Sequence, residues 1–414
     1  MTRTWHQEHW DNGLTVLIEP LNRPAAATCL LLPTGAAADP AGREGAANVL
    51  HNFCQRGAGE RDTRALNEAI ESLGARRGGA AGRETTTWSL TCLAPDWAEA
   101  LALVLDSVRR PCLPDEAFES VRALGLQEVA GLDDEPGRKV LMELTRRFFP
   151  TPYGRSLVGS RDSLTALAAD DLRRQWQATY QPQGAILAIA GGLDLDAARE
   201  TAKRLLADWQ GAADPAPAAQ PRSEAVYEHV TSATEQVHIA LAWRDVAADD
   251  PGRYHSQMAV QVLSGGMGAR LFTEVREKRG LCYAVGASGQ TVRGCGYVIA
   301  RAGTTTERSS ETLEVLAGEL TRLPGSVTAD EVERAKVRLL SNEVMNDEIT
   351  SARAQRAASD WWLLGRVRSP EEVRAGIEAV SAASLNQFLE AHRPGDFTIV
   401  TLGPQFDWPA GLSL

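Results

Sequence analysis

The sequence predicts an α+β protein built from two homologous domains, each a largely antiparallel sheet packed with helices. Three observations lead there. The stretch "GAADPAPAAQPRSEA" at 211–225 divides the 414-residue chain into parts of similar size. Rich in Ala and Pro and without an apolar period, it reads as a semi-extended linker. The parts before and after it, 1–210 and 226–414, also end alike. "ALAADDLRRQWQATYQPQGAILAIAGGLD" from Ala166 and "AVSAASLNQFLEAHRPGDFTIVTLGPQFD" from Ala379 each run a short helix into Pro182 or Pro394, then a β-branched strand ending at Gly191 or Gly403. Near their starts, "PTGAAADPAGREGAANVL" echoes "WRDVAADDPGRYHSQMAVQVL": a strand, a polar Asp-Pro turn, then an apolar-periodic helix. A repeat this long means domain duplication and not a solenoid.

In the first part "GLTVLIEPL" and "ATCLLLPTG" open as strands and "TTTWSLTCL" is another. Helices are expected at 43–55, 63–73, 96–108 and 114–131, the last with Pro114 and Asp115 at its N-terminus. Strands and helices mingle without βαβ regularity, which places the chain among α+β and not α/β proteins.

Bulk properties exclude several function classes. The chain is too long for one ordinary core. Its 43% hydrophobic and 23% charged residues are those of a soluble globular protein. The net charge is −11 and the pI about 5.3, with basic residues scattered, so no nucleic-acid footprint is present. No run has the apolar length of a signal peptide or a membrane span, so no membrane partner is expected. Cys29, Cys54, Cys92, Cys112, Cys282 and Cys295 are dispersed, with no C-x-x-C among them. That is neither a disulfide framework nor a zinc ribbon, and a reducing cytoplasm is the expected location.

The candidate chemistry begins in "EGAANVLHNFCQRG" at 44–57. Asn48, His51 and Asn52 stand at i, i+3 and i+4, on one helical face. A zinc peptidase would place histidines at the outer positions and a carboxylate between them; here the outer residues are amides and the middle one an imidazole. Asn48, His51 and Asn52 also read as an ordinary hydrogen-bonding face. "HQEH" at 6–9 lies in a strand-like region with the wrong spacing for a metal helix. "SGGMGAR", beginning at Ser264, is glycine-rich but lacks the G-K-[ST] of a phosphate loop.

Taken together, "DPAGREGAANVLHNF", "LNEAIESLGAR", "RRPCLPDEAFESVRALGLQEV", "TPYGRSLVGSRDSLTAL" and "GARLFTEVREKRGLCYAVGAS" resemble the M16 zinc metallopeptidases, the group of pitrilysin, insulysin and the mitochondrial processing peptidase. The likeness is to compact bacterial members with two homologous domains of the M16/LuxS-like metallohydrolase fold, and it covers nearly the whole chain. The family's motif is an inverted H-x-x-E-H on a helix, with a second glutamate some 76 residues on as third protein ligand. Three ligands leave one zinc position for water, and the motif's glutamate takes that water's proton. The resemblance sets the first histidine on Asn48, the base on His51, the second histidine on Asn52 and the distal ligand on Glu128. The motif is degenerate. Amides are weak donors that zinc rarely selects, and the expectation is no metal and no catalytic residue in this chain. His51 with Glu128 and a third group is the remaining metal reading; otherwise Glu128 is a solvated helix residue.

Active members also carry an Arg and a Tyr seven residues apart that hold the substrate backbone and stabilise the developing oxyanion. They match Arg276 and Tyr283, with Gly280 between them. A guanidinium fork grips carbonyl oxygens and a phenol donates where negative charge develops. Without the resemblance, Arg276 is one more charge on a helix end and Tyr283 a residue of the next strand. A lost metal motif beside a retained Arg–Tyr pair implies a non-catalytic, substrate-binding subunit of a heterodimeric M16 peptidase acting on peptides or unfolded proteins. Zinc would then reside in a homologous partner with an intact motif, and a homodimer is the alternative assembly. A structural scaffold without a role in proteolysis, and an active peptidase with a rebuilt metal site, are the competing functions.

Overall fold

The structure, a computed structural model, describes residues 5–214 and 217–410. Residues 215–216 of the expected linker, and the ends 1–4 and 411–414 of the two expected domains, lie outside the described residues. In the first half the elements are β1 (His6–His9), β2 (Thr15–Pro20), β3 (Ala25–Leu32), α1 (Ala46–Phe53), α2 (Thr63–Ser72), β4 (Arg76–Ala81), β5 (Thr86–Leu93), α3 (Trp97–Arg109), α4 (Asp115–Gly131), α5 (Pro136–Phe148), α6 (Arg161–Thr165), α7 (Ala169–Thr179), β6 (Ile186–Gly191) and α8 (Leu195–Leu206). The second half follows with β7 (Val226–Thr231), β8 (Gln236–Asp245), α9 (Arg253–Ser264), β9 (Ala284–Val292), β10 (Cys295–Thr305), α10 (Ser309–Thr321), α11 (Ala329–Asp347), α12 (Thr350–Leu364), α13 (Pro370–Glu378), α14 (Ala382–Ala391) and β11 (Thr398–Gly403).

The duplication is legible in the sheets. One runs β1-β2-β6-β3-β5-β4 and the other β7-β11-β8-β10-β9, the same order apart from the extra edge strand β1. In each, a single neighbouring pair is parallel, β2 with β6 and β7 with β11, and the other pairs are antiparallel. The repeated terminal segments supply β6 and β11, which sit at equivalent places in the two sheets.

The interior strands are apolar on both faces because both faces are covered. In the first sheet Val16, Ile18, Leu30, Leu32, Leu187 and Ile189 face one cluster with Val49, Leu50 and Phe53 of α1 and with α3. The alternate residues Leu17, Cys29, Leu31, Ile186 and Ala188 meet Ala354, Ala357 and Ala358 of α12 on the other face. In the second sheet Val237, Ile239, Leu241 and Ile399 pack with Met258 and Val262 of α9 and with Leu313 and Leu316 of α10.

The compact units are not contiguous in sequence. One comprises Met1–Ala130, Arg155–Pro217 and Met345–Ser369, the other Gly131–Gly154, Ala218–Val344 and Pro370–Leu414. Each half therefore lends a helix to the other unit's sheet: α12 packs on β3 and β6, and α5 on β8 and β11. The guanidinium of Arg353 on α12 donates to Glu19 on β2, with Nε 2.7 Å from Oε2 and both side chains buried. On α5 Arg147 pairs with Glu228 of β7, and Phe148 meets Tyr297 of β10 at 5.3 Å between ring centroids.

Candidate functional site

Asp39 fixes the start of α1. Its carboxylate accepts from the backbone N–H of Gly45 and of Ala47, each at 2.8 Å, and from Gln175 Nε2 at 3.0 Å. These bonds satisfy N–H groups that open the helix. Burial raises the Asp39 carboxyl to about 6 against those hydrogen bonds. Along α1, Ala46, Val49, Leu50 and Phe53 are buried in the core. Gly125 of α4 lets the two helices approach, since a Cβ there would lie 3.4 Å from Val49 and 3.3 Å from Leu164.

That approach brings Asn48 to Glu128: the amide Nδ2 donates to Oε2 at 3.0 Å. The solvated-residue reading of Glu128 is thus corrected; its carboxylate is engaged by the amide that stands at the first ligand position. Asn52 turns to its own helix and donates to the Asn48 carbonyl at 3.1 Å.

His51 takes a separate direction. It is 4% exposed, with its ring 4.3 Å from that of Trp88. Gly79 of β4 is needed beneath it, with φ at +139°, and a Cβ would fall 2.0 Å from the Thr87 carbonyl and 3.1 Å from His51 Cε1. His51 Nδ1 is buried without a hydrogen-bond partner. Burial and the Arg77 charge lower the imidazole to about 4, so it is neutral at pH 7. The shared hydrogen-bonding face expected of the three residues is therefore corrected for His51, which packs against an aromatic ring.

These donors do not fit a zinc ion. One amide is a donor to the only nearby carboxylate of the motif, the other bonds the helix backbone, and the imidazole is enclosed by Trp88 and Gly79. Among the described residues no group of three or more His, Cys, Asp or Glu is placed to hold a metal. "HQEH" at 6–9 forms β1, where His9 lies 5.2 Å from the Trp361 ring and its Nδ1 is 3.1 Å from Thr15 Oγ1. All six cysteines are free.

Arg276 and Tyr283 lie in the second unit, around a π-helical turn at Phe272–Glu277 whose wider winding shows in the Lys278 N–H donating to the Thr273 carbonyl at 2.9 Å. Such turns recur at functional sites. The Arg276 guanidinium is 4.7 Å from the Phe272 ring centroid and 4.8 Å from that of Tyr283, a cation held between two π faces. Tyr283 is 82% exposed, immediately before edge strand β9. Gly280 reverses the chain between them, and its carbonyl accepts from Arg308. The fold thus joins the pair in one contact, whereas Asn48, His51, Asn52 and Glu128 join only in part. Sequence reasoning missed Asp39, read only as half of an Asp-Pro turn, and Phe272, whose place four residues before Arg276 was the available signal.

Both halves match profiles of one family. Residues 15–161 match the profile described as insulinase, peptidase family M16, and residues 166–339 the one described as the peptidase M16 inactive domain. The chain is an M16-family protein. Its relatives include an uncharacterized zinc protease of Rickettsia bellii, 25% identical over 95% of this chain and 96% of that one, and another of Streptomyces coelicolor, 27% identical over 89% and 83%. In fold it matches the peptidase M16 inactive domain of Pseudomonas fluorescens with a TM-score of 0.89, 22% identity and coverage of 98% and 99%. A protease from Helicobacter pylori superimposes with the same score at 17% identity, covering 98% and 100%. The two-domain α+β class and the M16 likeness read from the sequence both hold.

Proposed function

We propose that this M16 chain is the non-catalytic, substrate-binding subunit of a heterodimeric zinc metallopeptidase acting on peptides or unfolded proteins. The observation that carries the reading is a contrast within the chain: the positions of the metal motif are occupied by internal contacts, while the half-buried Arg276 stacks on a solvent-exposed Tyr283. Arg276 would hold a peptide carbonyl and the Tyr283 hydroxyl would donate to developing negative charge. Strand β9 begins beside Tyr283, and its outer edge pairs with no strand among the described residues, which favours a peptide added there as a further strand. Zinc and the general base would come from a homologous chain with an intact H-x-x-E-H. No helix among the described residues is long and apolar enough to cross a membrane; a cytoplasmic site is part of this proposal.

The test is to mix the chain with such a partner and follow peptide cleavage. Arg276→Ala and Tyr283→Phe should each lower turnover of the mixed complex by about tenfold or more, with co-elution of the chains unchanged. Unchanged turnover in both variants refutes the role. Zinc content of the purified chain, after dialysis against added zinc, should be near zero. About one zinc per chain, lost in Asn52→Ala or Glu128→Ala, would overturn the proposal and make this chain itself the candidate enzyme.

A further inference from the structure

The glycine-rich segment after α9 plays no part in the site above, yet it walls a cavity of about 250 Å³ in the second unit, closed on the other side by α11. We propose that this cavity binds a carboxylate carried by a peptide, held by Arg334 and Arg338. The two arginines stand four residues apart on α11 and both line the cavity. Neither makes a hydrogen bond or ion pair among the described residues. The acidic residue in the lining, Glu331, is already engaged: it accepts from Arg270 at 2.7 and 2.9 Å and from the Thr328 N–H at 2.9 Å. The cavity therefore presents two guanidiniums whose charge no lining carboxylate offsets, and guanidinium forks match carboxylate geometry.

Two further features select the ligand. Gln261 Oε1 is buried at the cavity wall with no hydrogen-bond partner, an acceptor waiting for an N–H. The amide of a peptide supplies one beside its terminal carboxylate. Met267 and Val337, 78% and 66% exposed, add apolar surface to the lining. A carboxylate, a neighbouring amide N–H and an apolar side chain occur together in the last residue of a peptide. The volume falls below the usual range for a complete small ligand, roughly 300–1,000 Å³, and fits one residue. At Gly266 a Cβ would lie 2.9 Å from Arg338 Nη1, so the absence of a side chain there leaves the guanidinium its place.

The choice of a peptide rests on the proposed function; the carboxylate does not. The experiment is calorimetric titration of the full chain, alone, with acetyl-Ala-Leu as the free acid, the same dipeptide as its amide, an amidated acetyl-Ala-Glu-Leu, and inorganic phosphate. The free acid should saturate, and the amide should bind at least tenfold more weakly. The exposed double substitution Arg334→Ala/Arg338→Ala should weaken the free acid at least tenfold without lowering the melting temperature. Comparable binding of the glutamyl peptide supports the carboxylate and assigns it to an acidic side chain. Equal binding of acid and amide, indifference to the double substitution, or binding of phosphate alone would overturn the proposal. Because no catalytic partner is present, failure here leaves the Arg276 and Tyr283 test intact, and failure there leaves this one.

Discussion

On α1 of the first unit Asn48 is bonded to Glu128, Asn52 to a helix carbonyl, and His51 lies under Trp88. In the second unit the segment after α9, the counterpart of α1, leads instead to a guanidinium between two rings and a tyrosine facing solvent. The exchanged helices differ in the same sense. Arg353 and Glu19, which tie α12 to β2, have side chains 4% and 2% exposed, whereas Arg147 and Glu228, which tie α5 to β7, are 18% and 37% exposed. One topology thus carries similar residue types in two conditions. Arg353 and Glu19 hold their helix from within the core and Arg147 and Glu228 hold theirs nearer the surface, while Tyr283 is left facing solvent.

The largest test of this contrast is Glu19→Gln, which removes the fully buried counter-ion of Arg353 and leaves it Asp347 at 3.1 Å. It should cost about 3–5 kcal/mol in denaturant unfolding, as removal of one partner of a buried pair does. Glu228→Gln, at the solvent-screened counterpart, should cost less than about 1 kcal/mol. Similar losses in the two variants would break the comparison.

Next comes pH. The imidazole of His51 lies at about 4 in the folded chain against 6.5 for the free side chain. The unfolded chain then binds the extra proton between those values, so this stability is complete above about pH 6.5 and is lost as pH falls towards 4. The loss is at most about 3 kcal/mol. Asp39 acts in the opposite sense: its raised carboxyl favours the folded chain on acidification below about 6. Comparing wild type with His51→Gln from pH 7 to 4 cancels the Asp39 contribution. The variant should lose less stability on acidification, and parallel curves would refute a neutral buried imidazole.

A smaller effect is expected for the amide–carboxylate bond. A double-mutant cycle with Asn48→Ala and Glu128→Ala should give a coupling of about 1 kcal/mol. Additivity within error would return Glu128 to the solvated reading. Smallest of all, Arg276→Ala and Tyr283→Phe should each leave stability within about 0.5 kcal/mol. A marked fall in melting temperature would show that the pair belongs to the fold and not to a ligand.

Much of this was legible in the sequence. Pro114 and Asp115 marked the start of α4, and β2, β3 and β5 were visible as apolar or alternating runs, because these signals are local. "RRGGAA", which forms edge strand β4, was not, since two glycines erase the strand pattern and neighbouring pairing alone holds it extended. At the candidate site the spacing of Asn48, His51 and Asn52 placed them on one side of α1, whereas Arg276 and Tyr283 were singled out by the family resemblance and not by their interval alone.

By itself, then, the sequence determined the duplication and its local strands and helices, written in periodicity and spacing. Its likeness to the M16 peptidases set Asn48, His51, Asn52 and Glu128 on the metal positions and Arg276 and Tyr283 on the Arg–Tyr pair. Only the tertiary structure decided that Glu128 accepts from Asn48, that His51 is enclosed by Trp88 and Gly79, and that α5 and α12 pack on each other's sheets. Those outcomes depend on which surfaces meet across tens or hundreds of residues. Burial, which turns a polar side chain into a satisfied bond or a neutral ring, is a property of that meeting and not of the local chain.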